Sequence, residues 1–130
     1  MDPKLEQKLY DKYPAFFRQH SLSMQETCMC WGLPGPGWFK IIDTMAKKLT
    51  AYAEKHNIIL EATQVKEKYG QLTVYLNQSN SEIDAIVQKA EQASLKTCEI
   101  CGKPGSINKG PWYSVRCPKC RAKEAKRCKI

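Results

Sequence analysis

Apolar positions recur along this chain in two rhythms, one helical and one strand-like, and both predict elements. Asp2-Pro3 suits a helix N-cap followed by proline at the first helical position, and Leu5 and Leu9 then share one face. Pro14 should end this helix near Asp11 or Lys12. Ala15, Phe16 and Phe17 follow as apolar anchors. From Trp38 a longer amphipathic helix is predicted. Trp38, Ile41, Ile42, Met45, Leu49, Tyr52 and Ala53 recur at three- and four-residue spacing, while Lys40, Lys47, Lys48 and Glu54 face elsewhere. Asn57 is a plausible stop. Residues 58–69 read as a strand whose alternation is poor in its second half. Gly70 marks a turn, after which Leu72, Val74 and Leu76 alternate with Gln71, Thr73 and Tyr75 as a half-buried strand. A further helix starts between Ser79 and Ser81, with Ser81 and Asp84 resembling a capping pair. Ile83, Ile86, Val87 and Ala90 make its apolar face.

These elements predict an α+β fold over residues 1–95, with helices packed on a small antiparallel β-hairpin or sheet, because a lone hairpin needs such cover. Neither rhythm continues past residue 95, where cysteine takes over. Cys98-x2-Cys101 and Cys117-x2-Cys120 enclose fifteen residues, a spacing typical of structural zinc sites. Each pair brings two thiolates onto one tight turn, and two such turns complete a tetrahedron with Zn–S bonds of ~2.3 Å. Gly102, Pro104 and Gly105 supply the turn chemistry. A zinc ribbon or knuckle is therefore expected over residues 96–121, with Zn²⁺ as its cofactor, followed by a basic tail over 122–130. Binding worth about 10–16 kcal/mol would fold a segment too small to fold alone.

Charge sharpens that division. Residues 96–130 hold ten basic side chains against Glu99 and Glu124, so they carry the chain's whole net charge of +8. Four thiolates around Zn²⁺ leave a formal charge of about −2, which Lys103, Arg116, Lys119 and Arg121 could offset. Trp112 and Tyr113 lie between the two cysteine pairs, close to these cations. Aromatic faces interleaved with cations suit nucleic acid, where bases stack and phosphates pair with Lys or Arg. DNA or RNA is thus the leading partner, with Trp112, Tyr113, Arg116, Lys119, Arg121, Lys123, Lys126 and Arg127 as contacts. The alternative has Trp112 packing the module onto the main body and the tail as a solvated end.

The segment 28–37 cannot be regular, because its prolines and glycines interrupt both ladders. Cys28 and Cys30 there have three readings: small buried apolar groups, a redox pair, or part of a binding pocket. Trp31 and Trp38 bracket the Pro/Gly run, making a candidate loop for a partner or ligand. A small ligand held between this loop and the hairpin is a further reading.

Several classes are disfavoured. No run of about 20 apolar residues occurs, so no membrane span is expected. The first residues are charged and give no signal-peptide pattern, and seven cysteines cannot all pair, so a reducing cytoplasm is the expected home. With His20 and His56 as its two histidines, and no P-loop, H-E-x-x-H or G-x-G-x-x-G, the chain is not expected to be an enzyme. A four-thiolate site also lacks the open position that zinc catalysis requires.

Four stretches together resemble a family of small, uncharacterised proteins encoded mainly by bacteriophages and prophages. They are SMQETCMCWG over 23–32, GWFKIID over 37–43, QVKEKYGQL over 64–72 and TCEICGKPG over 97–105. The resemblance implies a zinc-finger-like C-terminal end and brings no established activity. This chain departs from the pattern in its Pro/Gly loop and its strongly basic tail. The resulting expectation is a zinc-binding, non-enzymatic phage protein in the host cytoplasm, acting most readily on nucleic acid. The alternative is an interaction module that inhibits or redirects a host protein, such as a defence component.

Overall fold

The computed structural model describes residues 1–127, with side chains through Lys123. Its fold is α+β, with four helices, a small two-stranded antiparallel sheet and a C-terminal cysteine cluster beside a second short hairpin. Helix α1 spans Pro3–Lys12, and the Asp2 carboxylate accepts from the Lys4 backbone N–H at 2.8 Å, as the sequence predicts for an N-cap. Three single 3₁₀ turns, Arg18–Ser21, Met29–Trp31 and Pro36–Trp38, carry the chain to helix α2, Phe39–His56. Asn57 ends α2 in the left-handed region at φ 53°, where asparagine is tolerated better than most residues.

Strands β1, Ala62–Lys68, and β2, Gln71–Leu76, pair antiparallel, with Val65 opposite Val74 and Lys68 opposite Gln71. β1 begins four residues later than its apolar pattern suggests. The backbone before it is bonded by a side chain instead of a ladder: Asn77 accepts from the Glu61 N–H at 2.8 Å and donates to the Ile59 carbonyl at 3.0 Å. Helix α3, Ser81–Ser94, is capped by Asn80, which accepts from the Ile83 N–H at 2.9 Å; the Ser81–Asp84 pairing expected from sequence does not form the cap.

The core lies where α3 packs on β2 and α2 packs on α3. Ile42, Met45, Ala46 and Leu49 of α2 pack with Ile83 and Val87 of α3 and with Val65, Leu72 and Val74 of the sheet. Leu9 of α1, with Phe16, Phe17, Met29, Leu33 and Trp38 of the irregular stretch that follows, completes it from the N-terminal side. Beyond α3, strands β3, Ser106–Asn108, and β4, Ser114–Arg116, form the second hairpin, and helix α4, Pro118–Arg127, starts directly after Cys117. Among the described residues no helix is long and apolar enough to cross a membrane.

Candidate metal centre and the surface around it

The segment after α3 is shaped by backbone bonds that fold it back on itself. Gly105 N–H donates to the Lys96 carbonyl at 2.9 Å and Cys98 N–H to the Lys103 carbonyl at 2.8 Å. The first Cys-x2-Cys turn closes with Gly102 N–H on the Cys98 carbonyl at 3.0 Å, and Gly102 takes φ +81°, a region glycine enters without penalty. The second pair opens α4, with Arg121 N–H on the Cys117 carbonyl at 3.0 Å. β3 and β4 bring the two turns together.

As a result the sulphurs of Cys98, Cys101, Cys117 and Cys120 all lie within 4.8 Å of one another, with Cys101 and Cys117 at 3.5 Å. A tetrahedral thiolate site with bonds of ~2.3 Å has edges of about 3.8 Å, so this cluster has the size to hold one metal ion. Cys98 and Cys117 are buried, Cys120 is half-buried and Cys101 is exposed. Burial pushes the Cys98 thiol up, but N–H groups of Cys101, Cys117 and Ile100 aimed at its sulphur outweigh that and leave it at about 6. Cys117 is lowered chiefly by the Cys120 N–H, 3.4 Å from its sulphur. Cys120 is pushed up to about 12, first by its contact with the Cys117 thiol and then by burial. Four sulphurs this close cannot all carry charge unaided. A divalent cation at their centre would let them.

The centre is keyed to the main body at two points, and Glu99 ties one of them to the rest of the module. Trp38 donates its indole N–H to the Thr97 carbonyl at 3.0 Å. Gly37 N–H donates to the Glu99 carbonyl at 2.8 Å. Glu99, whose own N–H bonds the Val115 carbonyl at 2.9 Å, pairs with Arg116 at 2.9 Å.

The basic residues divide into two sets. Arg116 is engaged with Glu99, and Arg121 donates to the Ser106 carbonyl at 2.8 Å, so both brace the module. Lys103, Lys119 and Lys123 are exposed and line one depression with Cys101, Cys117 and Cys120. The side chains of Lys126 and Arg127 lie outside the described residues. Trp112 is 87% exposed and Tyr113 41%, so Trp112 does not pack the module onto the body.

In the 28–38 loop the structure reverses two expectations. Cys28 and Cys30 are exposed, and Met29 between them is the buried residue. Thr27 causes this: its hydroxyl accepts from the Met29 N–H at 3.1 Å and lies 2.7 Å from the Gln19 side chain, turning Met29 inward. Trp38, expected as a surface aromatic, is fully buried, leaving Trp31 as the exposed ring at 72%. A cleft between this loop and the main hairpin is lined by Thr27, Cys28, Thr63, Gln64 and Tyr75.

One surface residue was missed by sequence reasoning. Tyr69, at the tip of the β1–β2 hairpin, is 71% exposed and meets Tyr113 ring to ring. Its signal is an aromatic residue before glycine at a two-residue turn, where Asn-Gly is favoured. Comparison with known proteins gives no matching family model, no matching curated protein and no matching solved structure.

Proposed function

We propose that Cys98, Cys101, Cys117 and Cys120 hold a structural Zn²⁺ and that the protein binds nucleic acid through the module this ion folds. Zinc is favoured because four soft thiolates in tetrahedral array suit it, and because strands of three residues cannot stabilise such a module alone. The observation carrying the nucleic-acid reading is the depression in which Lys103, Lys119 and Lys123 gather beside the thiolates. Three ammonium groups exceed the formal charge of about −2 that four thiolates leave around Zn²⁺, and they offer a row for phosphates. Following the phage resemblance, the setting is an infected bacterial cytoplasm.

The test is a gel-shift with zinc-loaded protein on DNA and RNA, single- and double-stranded, at ~50 and ~200 mM salt. Binding that weakens steeply with salt supports the reading, and no binding at the lower salt removes it.

A second reading rests on Trp31, which stands 72% exposed beside Cys28 and Cys30. A large apolar ring held out by a Pro/Gly loop suits the anchor of a protein interface. The partner would be a host protein, such as a defence component, whose function is blocked or redirected. A pull-down from nuclease-treated host lysate with wild type and Trp31→Ala decides it, since retention that survives the substitution excludes the loop.

A further inference from the structure

The tip of the main hairpin carries a tyrosine where backbone geometry favours asparagine or glycine. Two residues join β1 to β2, Tyr69 and Gly70, and both are left-handed, with φ of 53° and 83°. This is the primed-turn geometry that matches strand twist, and its first position disfavours a bulky aromatic. Burial does not compensate Tyr69, since the ring is 71% exposed.

The turn is firmly seated nonetheless. Gly70 N–H donates to the Glu67 carboxylate at 2.6 Å. A methyl group on Gly70 would lie 3.3 Å from Ile107 Cδ1 and 3.4 Å from the Ser114 nitrogen, so the turn packs directly on the β3–β4 hairpin. That seating places Tyr69 beside Tyr113, with ring centroids 6.0 Å apart and planes at 68°. Trp112 precedes Tyr113 in the same loop and is 87% exposed. Two hairpins far apart in sequence thus converge to present three aromatic rings to water. A strained, exposed residue within such a patch points to a ligand-facing role.

We propose that Tyr69, Tyr113 and Trp112 form a stacking platform for unpaired bases, so that the preferred ligand is single-stranded nucleic acid. This rests on the nucleic-acid reading above and narrows it. Bases within a duplex cover one another's faces, whereas an unpaired base offers its face to an aromatic ring. Glu67, Glu99 and Arg116 border the platform, and Glu99 and Arg116 pair with each other, so net charge there is small. Phosphate binding would fall to Lys68, next to Tyr69 in sequence and exposed, and to the lysines at the thiolate end. β4, Ser114–Arg116, separates Tyr113 from Cys117 by four steps of ~3.3 Å, about 13 Å, so a short oligonucleotide can engage both ends.

The test uses full-length, zinc-loaded protein and fluorescence anisotropy on one labelled oligonucleotide of about 12 nucleotides, alone and annealed to its complement. Tyr69→Asn should weaken single-strand binding roughly 5- to 100-fold, as loss of a stacked base does, and leave duplex binding unchanged. Because Asn-Gly suits the turn, the same variant should melt at a higher temperature than wild type, which separates binding from folding. Tyr69→Phe should keep wild-type affinity. Unchanged single-strand affinity in Tyr69→Asn, or equal wild-type affinity for strand and duplex, overturns the platform while leaving nucleic-acid binding in place. Failure of wild type to bind either form overturns both.

Discussion

A methyl group on the Gly37 α-carbon would sit 2.0 Å from the Cys98 carbonyl oxygen, so the body and the cysteine module meet backbone to backbone at that residue. The contact couples the Pro/Gly loop to the first metal-ligating turn. It also explains why a glycine follows Pro36 here: no side chain fits between Cys98, Glu99 and Gly102. Gly37→Ala is predicted to destabilise the protein by about 3 kcal/mol, through forced separation of two backbones with no flexible side chain to yield. Urea denaturation checks this, and unchanged stability would mean that the module is not docked on Gly37.

The two tryptophans flanking the Pro/Gly run should behave oppositely. Trp38→Ala opens a cavity in the core and frees the Thr97 carbonyl, for a loss of about 3–5 kcal/mol. Trp31→Ala removes an exposed ring and should change stability by no more than about 0.5 kcal/mol. Thermal melts of the two variants provide the comparison.

That contrast shows where sequence reasoning succeeds and where it stops. The helical period located Met45 and Leu49 in the core correctly, and the same period already included Trp38. The Pro/Gly run suggested a surface loop, but the helix that follows it pulls Trp38 inward. Cys98, Cys101, Cys117 and Cys120 were legible because paired ligand spacing is itself a local geometric constraint. Cys28 and Cys30 were not, because their exposure depends on the Thr27 hydroxyl bonding Met29, a contact that no periodicity encodes. Residues 122–130 read as a basic tail in sequence, yet α4 runs from Pro118 to Arg127, because apolar residues there are too sparse to announce a helix. The meeting of Tyr69 with Tyr113 depends on the docking of two hairpins and has no local signature.

Acid should weaken the fold through two carboxylates whose native bonds favour ionisation. Glu61 is held below the usual carboxylate range by the Arg18 guanidinium, against an opposing effect of burial. For Asp43 burial opposes ionisation, and bonds from Lys12 at 2.6 Å and Tyr13 at 2.7 Å outweigh it, so its carboxyl is lowered too. A lowered native value means the stabilisation is complete above an unfolded value near ~4.3 and is lost as pH falls through the native one. Glu91, raised by burial against the Val74 N–H, acts in the opposite direction above that range. Glu61→Gln should therefore lower stability at neutral pH and flatten the pH dependence below about 4.5, measured by urea midpoints across pH. An acid limb as steep as wild type's would exclude the Arg18–Glu61 pair as its source.

Charge reversal separates the lysines that line the thiolate depression from the arginines that brace the module. Lys119→Glu with Lys123→Glu should reduce the salt slope of nucleic-acid affinity by about two units, near one per lost phosphate contact, with little change in melting temperature. Arg116→Glu should instead destabilise the module, because it sets two carboxylates against each other beside Glu99. Affinity unaffected by the double reversal would remove the lysine depression from the binding surface.

If one zinc ion folds the cysteine module, native mass spectrometry of the purified full-length chain will find it. One zinc per chain is expected, lost in Cys98→Ser and Cys117→Ser but kept in Cys28→Ser and Cys30→Ser. Chelation should release that ion together with loss of module structure. A folded chain carrying no metal, or one whose zinc survives substitution of Cys98, would contradict zinc folding of the module.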